Sequence, residues 1–475
     1  MASRMLARRL LDAGVAHPDF TASRSGGAFP GPGDVTVVIP VRDRHAELAR
    51  CLAGLRGPDN SKKFQTGADT DTGAGTGTDT GTGAVNVPAR PCAPPQVIVV
   101  DDDSADPRAI AAIAAAHGAR VIHRSANGGP GAARNTGLAA AATELVAFLD
   151  SDCVPAPGWL DALLPHFADP AVGAVAPRIV PAETGTSWLA RYEGASSTLD
   201  MGARPSIVRP GARVSYVPGA ALVVRTAAAG AGFADGMLVG EDVDFVWRMS
   251  AAGWRVRYEP AAVMGHDHRV RFRAWFSRRA DYGTSAAVLE QLHPGAVRPL
   301  YASWWTIGAW AAALSGRPAT ATALTAAATA LLARRLSKVT GERWPIPAVS
   351  PPIRDNSKKP EGGAEAWRLA IRLAGGGTVA AGRPIGSALS RTWWPLAIPA
   401  AVAFPKLRAP VAALILVPPL LDWADRRPPL DRARYVGARL LDDAAYSLGV
   451  WHGCLSRRTI RPLLPAIGAS RQPPH

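Results

Sequence analysis

Residues 145–153 read Leu-Val-Ala-Phe-Leu-Asp-Ser-Asp-Cys: five apolar residues that stop abruptly at two acids one position apart. An unbroken apolar run of this length suits a strand buried on both faces of a sheet, as parallel strands are. Open α/β sheets take their ligands beyond the carboxyl ends of such strands. Asp150 and Asp152 at that edge suit a hard divalent cation carrying a diphosphate. Taken alone, the triplet suits a turn whose acids cap the next helix about as well.

The pattern repeats along the chain. Residues 35–40, VTVVIP, form a β-branched apolar run stopped by Pro40, followed by Arg42-Asp43-Arg44. Leu48, Leu52 and Leu55 then recur at helical spacing. Gln96–Val100 is a second apolar strand ending in acids, Asp101-Asp102-Asp103. Pro107–His117 is an Ala-rich helix with proline in its first turn and Gly118 as its stop. Ala119–His123 is a short third strand, and the Gly-rich turn 127–131 opens a helix through Ala141. Four strands separated by helices predict an α/β fold with a doubly wound, mostly parallel sheet. That arrangement sets Pro40, Asp101 and Asp150 on one edge, where a nucleoside diphosphate would lie.

Further on, the pattern predicts a helix over 155–167, a strand over 172–179, a helix over 187–201 beside an acceptor region and a strand over 216–225. A helix from Glu241 starts with three acids, Glu241, Asp242 and Asp244, which the helix dipole favours. Asp244 and Arg248 are spaced to pair, Gly253 ends the helix, and 254–258 is a strand before Gly-His-Asp-His-Arg at 265–269.

Residues 1–33 form a lead-in without the long apolar core of a signal peptide. Residues 58–95 interrupt the alternation, and 66–84 are almost wholly Thr, Gly, Ala and Asp. Such a segment buries too little apolar area to offset its ordering entropy, so a disordered surface insertion is expected inside a domain spanning 34–280. After about 281 the character changes. Residues 299–316 and 318–333 are uncharged and Ala-rich, as are 392–405 and 409–421, split by Lys406 and Arg408. Arg334, Arg335 and Lys338 flank the second run as they would at a cytoplasmic membrane face. A helical, membrane-associated region is expected over 281–475; spanning helices, re-entrant pieces and a buried bundle all suit these lengths.

The net charge of +15 comes without a Lys/Arg run interleaved with aromatics, so no nucleic-acid face is expected. Cys51, Cys92, Cys153 and Cys454 form no CxxC pair, which leaves reduced thiols as the simplest account.

Taken together, VVIPVRDR (37–44), VVDDDS (99–104), NGGPGAARNTGL (127–138), FLDSDC (148–153), PGAALVVR (218–225) and GEDVDFVWR (240–248) resemble glycosyltransferase family 2, in family order and across about half the chain. Within the family, the helical tail and the GHDHR segment are most similar to the branch that serves the mycofactocin redox-cofactor system. The resemblance implies a GT-A fold and a sugar-nucleotide donor, expected to be a UDP-sugar such as UDP-glucose. It places Pro40 in the base pocket, Asp102 or Asp103 near the nucleobase and ribose, and Arg134 and Asn135 where they order the donor site. Asp103 stands where many members have glycine or glutamate. Asp150 and Asp152 match the DxD motif that holds ribose and Mg²⁺ or Mn²⁺, with His266 or His268 as a further ligand. Asp242 is the expected general base, with Glu241 its nearest rival. The QxxRW motif of processive synthases is absent, Arg248 being followed by Met249.

The resulting expectation is an inverting enzyme on the cytoplasmic face of the cell membrane that adds one or several β-linked glucoses to a peptide-derived redox-cofactor precursor. The alternatives are a family-2 enzyme acting on a lipid or cell-wall glycan, and an inactive membrane-bound scaffold, against which the intact acids at 150, 152 and 242 speak.

Overall fold

The computed structural model describes residues 29–56, 93–183, 185–341 and 362–468, with a few positions between 11 and 18. Most of the lead-in and of the 58–95 insertion therefore lies outside the described residues. The chain divides into two compact units, one of residues 1–275 with 473–475, the other of 276–472.

The first unit is built on one sheet. Strand β1 (Val35–Val41), helix α1 (His45–Arg56), β2 (Gln96–Asp101), α2 (Pro107–Ala116), β3 (Arg120–His123), α3 (Gly129–Ala140) and β4 (Leu145–Leu149) alternate as the apolar pattern predicts. Their strands are parallel in the order β3-β2-β1-β4. All seven residues of β1 are buried, the expected state of a central strand covered on both faces. Leu48 and Leu52 of α1 and Ile110 of α2 complete the core beside Val37, Ile39, Val99 and Leu145. Each such side chain contributes roughly 1.5–3 kcal/mol through burial. Pro40 is tolerated in the middle of the sheet because the β1–β4 pairing has already ended at Val38.

Beyond β4 the sheet becomes mixed. The chain runs through β5 (Cys153–Pro155), α4 (Trp159–Leu163), β6 (Val172–Pro181), α5 (Trp188–Ser196), β7 (Ser206–Ile207), β8 (Ala221–Arg225), α6 (Glu241–Ala251) and β9 (Arg255–His266). Strand β8 lies antiparallel between β4 and β6, and β9 pairs parallel with β6 and antiparallel with β5. This is the mixed, mostly parallel sheet of a GT-A fold.

Several boundaries differ from the sequence pattern. The 187–201 helix is confined to α5: Ser187 caps it through Ala190 N–H, and the following Ser-Ser-Thr run turns extended at Ser197. The 216–225 strand begins only at Ala221. The 155–167 helix is short and continues as a 3₁₀ turn over Leu164–Ala168. The 254–258 strand instead runs on to His266, because the register against β6 jumps from Glu259 to Val263 and so accommodates Pro260.

The second unit is helical. It takes in α7 (Phe272–Leu292) from Phe276 onward, α8 (Trp304–Leu314), α9 (Pro318–Gly341), short helical segments from 362 to 403, α10 (Arg408–Arg426) and α11 (Arg432–Ser456). The uncharged 299–316 run yields only the 11-residue α8, started late by the Ser303 cap, and is too short to span a membrane. Among the described residues one helical stretch, Pro405–Arg426, is long and apolar enough to do so.

Candidate active site

The carboxyl ends of β1, β2 and β4 do lie on one edge, and the acids there fall into three groups besides the exposed Asp103. Some are consumed in building the loops. Asp101 is 1% exposed, accepts Ser104 N–H at 3.1 Å and pairs with His123 Nδ1 at 2.8 Å. Asp102, also buried, accepts from Arg124 Nη1 (2.7 Å), Gly128 N–H (3.1 Å) and Gly129 N–H (2.8 Å), and so holds the turn that opens α3. Asp43 laces two loops together, donating its backbone N–H to Ser104 Oγ and accepting Ala105 N–H at 2.7 Å. Asp103 is different. It is exposed and has φ +66°, the left-handed region that suits the glycine found in many members of the resembled family.

The second group converges on one arginine. Arg134 on α3 is 2% exposed. Its Nη2 donates to Asp150 Oδ1 at 2.6 Å and its Nη1 to Glu241 Oε1 at 3.0 Å, with its guanidinium 5.3 Å from the centre of the Phe233 ring. One side chain thus joins the end of β4 to the start of α6. Asp242, the next residue of α6, accepts Gly219 N–H at Oδ2 (2.7 Å) and Val243 N–H at Oδ1 (2.8 Å). Burial, then repulsion from Asp242, raises the Glu241 carboxyl to about 7, against the pull of Arg134. Asn135 faces elsewhere: it donates to and accepts from the backbone of Phe233 and pins that loop to α3.

A third cluster surrounds Asp152. Its Oδ2 accepts from Arg44, whereas its Oδ1 is buried without a hydrogen bond and lies 3.6 Å from His266 Nε2. Asp152, Cys153 and His266 place donor atoms within 4.8 Å of one another. Burial pushes the Asp152 carboxyl up, but His266 and Arg44 together outweigh it and hold it below its ordinary value. The Cys153 thiol is driven far the other way by burial and by Asp152 and Asp150, so it stays protonated and is a poor ligand for a hard ion. Asp152 and His266 therefore fit a divalent cation. His268 stands behind them, its Nδ1 3.1 Å from His266 Nδ1.

The profile described as Glycosyl transferase family 2 matches residues 87–228. The pre-mycofactocin glycosyltransferases of Mycobacterium tuberculosis strains CDC 1551 and H37Rv are each 38% identical to this chain over 482 residues, covering 98% of it and 87% of their own length. The chain belongs to glycosyltransferase family 2. Among solved structures, a mannosyltransferase from Pyrobaculum calidifontis in complex with GDP-Man and Mn²⁺ aligns at 19% identity and a TM-score of 0.37, over 75% of this chain and 91% of that one. Glucosyl-3-phosphoglycerate synthase from Mycobacterium tuberculosis in complex with Mn²⁺, UDP and glucosyl-3-phosphoglycerate aligns at 18% and 0.34, over 54% and 79%.

In this glycosyltransferase the predicted residues do not form one undivided set. Arg134, Asp150, Glu241 and Asp242 come together, as do Asp152 and His266. Pro40 is buried within β1 and Asn135 serves the Phe233 loop. Three contributors carried no role in the sequence reading: Arg44, which bonds Asp152; Gly219, whose N–H holds Asp242; and Arg124, which braces Asp102. Arg44 and Gly219 belong to the quoted motifs and Arg124 lies three residues before one, but a backbone donor and a long flexible cation leave no spacing signal.

Proposed function

We propose that this glycosyltransferase moves glucose from UDP-glucose, with inversion, onto the peptide-derived mycofactocin precursor, adding one or several β-linked sugars at the cytoplasmic face of the membrane. The acceptor follows the name of relatives that match nearly the whole chain. The observation that carries the chemistry is the single guanidinium of Arg134, which ties the donor-side Asp150 to Glu241, next to Asp242.

Asp242 is the general base. Its two backbone hydrogen bonds fix the carboxylate at the start of α6, where it takes the proton of the acceptor hydroxyl. The acceptor oxygen forms its bond to the anomeric carbon as the bond from that carbon to the diphosphate oxygen breaks, and the nucleoside diphosphate leaves on the opposite face. One carboxylate acting on one face yields inversion. Glu241, bonded to Arg134 and largely buried, positions rather than reacts. Asp152 and His266, with Asp150 alongside, would hold Mn²⁺ or Mg²⁺, which would offset the charge of the departing diphosphate. An imidazole ligand favours Mn²⁺. Asp102 shapes the base-side loop and Asp103 offers its carboxylate toward the nucleoside. Incubating the protein with UDP-[¹⁴C]glucose and the precursor tests the whole reading: labelled product with β linkages is expected, and label passed only to lipid would favour a lipid or cell-wall glycan acceptor.

A further inference from the structure

The helical unit of residues 276–472 deepens the membrane part of that reading, and it does so independently of the transfer chemistry. Many of its large apolar side chains face outward: Val379 is 75% exposed, Trp304 and Val402 are 68%, Phe404 is 63% and Leu331 is 61%. The apolar stretch Pro405–Arg426 is almost entirely unburied. Leu289, Leu300, Tyr435 and Val450 are buried, but the interior otherwise consists largely of alanine and polar groups. Thr306, Thr329, Thr378, Ser390, Thr392 and Asp443 are all buried. They are bonded from within: Trp310 Nε1 donates to the Thr378 carbonyl at 2.7 Å, Trp451 Nε1 to the Thr392 carbonyl at 2.8 Å, and Ser390 Oγ to Asp443 Oδ2 at 2.6 Å.

Helical units in water are arranged the other way, with the apolar stripe inside and polar groups outside. In lipid the outward apolar surface has no cost, and interior hydroxyl and indole groups hold helices together. Charge identifies the lipid. Residues 276–472 carry 26 Lys and Arg against 11 Asp and Glu, whereas the rest of the chain carries 27 against 27, so the whole excess of +15 belongs to this unit. Lys406 and Arg408 stand at one end of α10; at the other, Arg426 and Arg427 stand beside Asp422 and Asp425, the latter bonded to Arg383 Nη2 at 2.6 Å. A second copy of the chain would have to cover these faces with an equally cationic surface, which repels.

We propose that residues 276–472 are seated in a bilayer containing anionic lipid, with α10 entering the hydrocarbon and its terminal cations in the headgroups. The 19 residues of α10 extend about 29 Å at helical rise, and the uncharged 409–421 supply about 20 Å of that, enough to enter a hydrocarbon core of about 30 Å from one face.

The test is flotation of the full chain, exchanged from detergent, with phosphatidylcholine–phosphatidylglycerol vesicles and with pure phosphatidylcholine vesicles. Flotation with the anionic vesicles that survives high salt and alkaline carbonate is expected, with weaker flotation on the neutral ones. Replacing Arg426 and Arg427 together (Arg426→Gln with Arg427→Gln) should lower partition onto anionic vesicles roughly tenfold. Val402→Glu with Phe404→Glu, at exposed positions, should weaken binding without lowering the melting temperature. Failure to float with either vesicle overturns the proposal, as does release by salt alone or assembly into soluble oligomers that no longer bind vesicles. No readout depends on sugar transfer, so failure here is distinct from failure of the proposed reaction.

Discussion

Gly219 donates its backbone N–H to Asp242 Oδ2 at 2.7 Å, and its neighbour Ala220 accepts the backbone N–H of Asp150 at 2.8 Å. Two consecutive residues ahead of β8 therefore bind Asp150 and the proposed base to one short piece of backbone. A Cβ added at Gly219 would lie 3.0 Å from Asp242 Cβ and 3.3 Å from the Arg134 guanidinium carbon. The motif Pro-Gly-Ala-Ala thus demands glycine for closeness.

Gly219→Ala should displace the base by a few tenths of an ångström or more and reduce kcat on the order of 100-fold, with donor affinity little changed. Steady-state kinetics with saturating donor would show it. Unaltered kcat would mean the two side chains yield without consequence.

Asp242→Asn keeps the shape and one acceptor oxygen but removes the base. Turnover should fall by roughly 10²–10⁴-fold while UDP binding persists, as measured by calorimetry. Retained turnover would transfer the role to another group, Glu241 being the nearest.

Glu241 supplies a pH test. Its folded-state pKa of about 7 lies above the ordinary 4.5, so its contribution to stability is fully present below about 4.5 and is lost as pH rises through about 7. Glu241→Gln stays neutral throughout. The melting temperature of the variant minus that of the native chain should therefore increase between pH 5 and pH 8. A difference that shrinks over that range would mean the Arg134 pair, and not burial, governs Glu241.

In the helical unit, Gly449 on α11 meets α7 so closely that a Cβ would stand 1.9 Å from the Ala280 carbonyl oxygen. Gly449→Ala should force the helices apart and cost about 1–3 kcal/mol or more, seen as a lowered melting temperature or loss of folded protein. An unchanged melting curve would show that this crossing adjusts freely.

The four parallel strands were legible because each is a short, wholly apolar run ended by acids or proline, and their shared edge followed from parallel pairing alone. The mixed half of the sheet was less legible. Nothing in the spacing of Ala221–Arg225 reveals that it inserts antiparallel between β4 and β6, since an apolar run reads alike in either direction. Strand β9 runs beyond the expected end at Tyr258 because a register jump absorbs Pro260. At the site, the acids were visible but their division of labour was not. Asp101 and Asp102 look as available as Asp103 in the sequence; only the hydrogen bonds of Ser104, Gly128 and Gly129 show that the first two are engaged. The convergence of Arg134 on Asp150 and Glu241 joins positions 107 residues apart, beyond the reach of any local pattern.

The proposed function rests on a metal-assisted UDP-sugar site at Asp150, Asp152 and His266. Isothermal titration of the purified protein with UDP, first with Mn²⁺ and then with EDTA, tests it most directly. Binding with Mn²⁺ is expected, weakened at least tenfold in EDTA and in Asp152→Ala. Equal binding in both conditions, or none from protein shown to be folded, would contradict it.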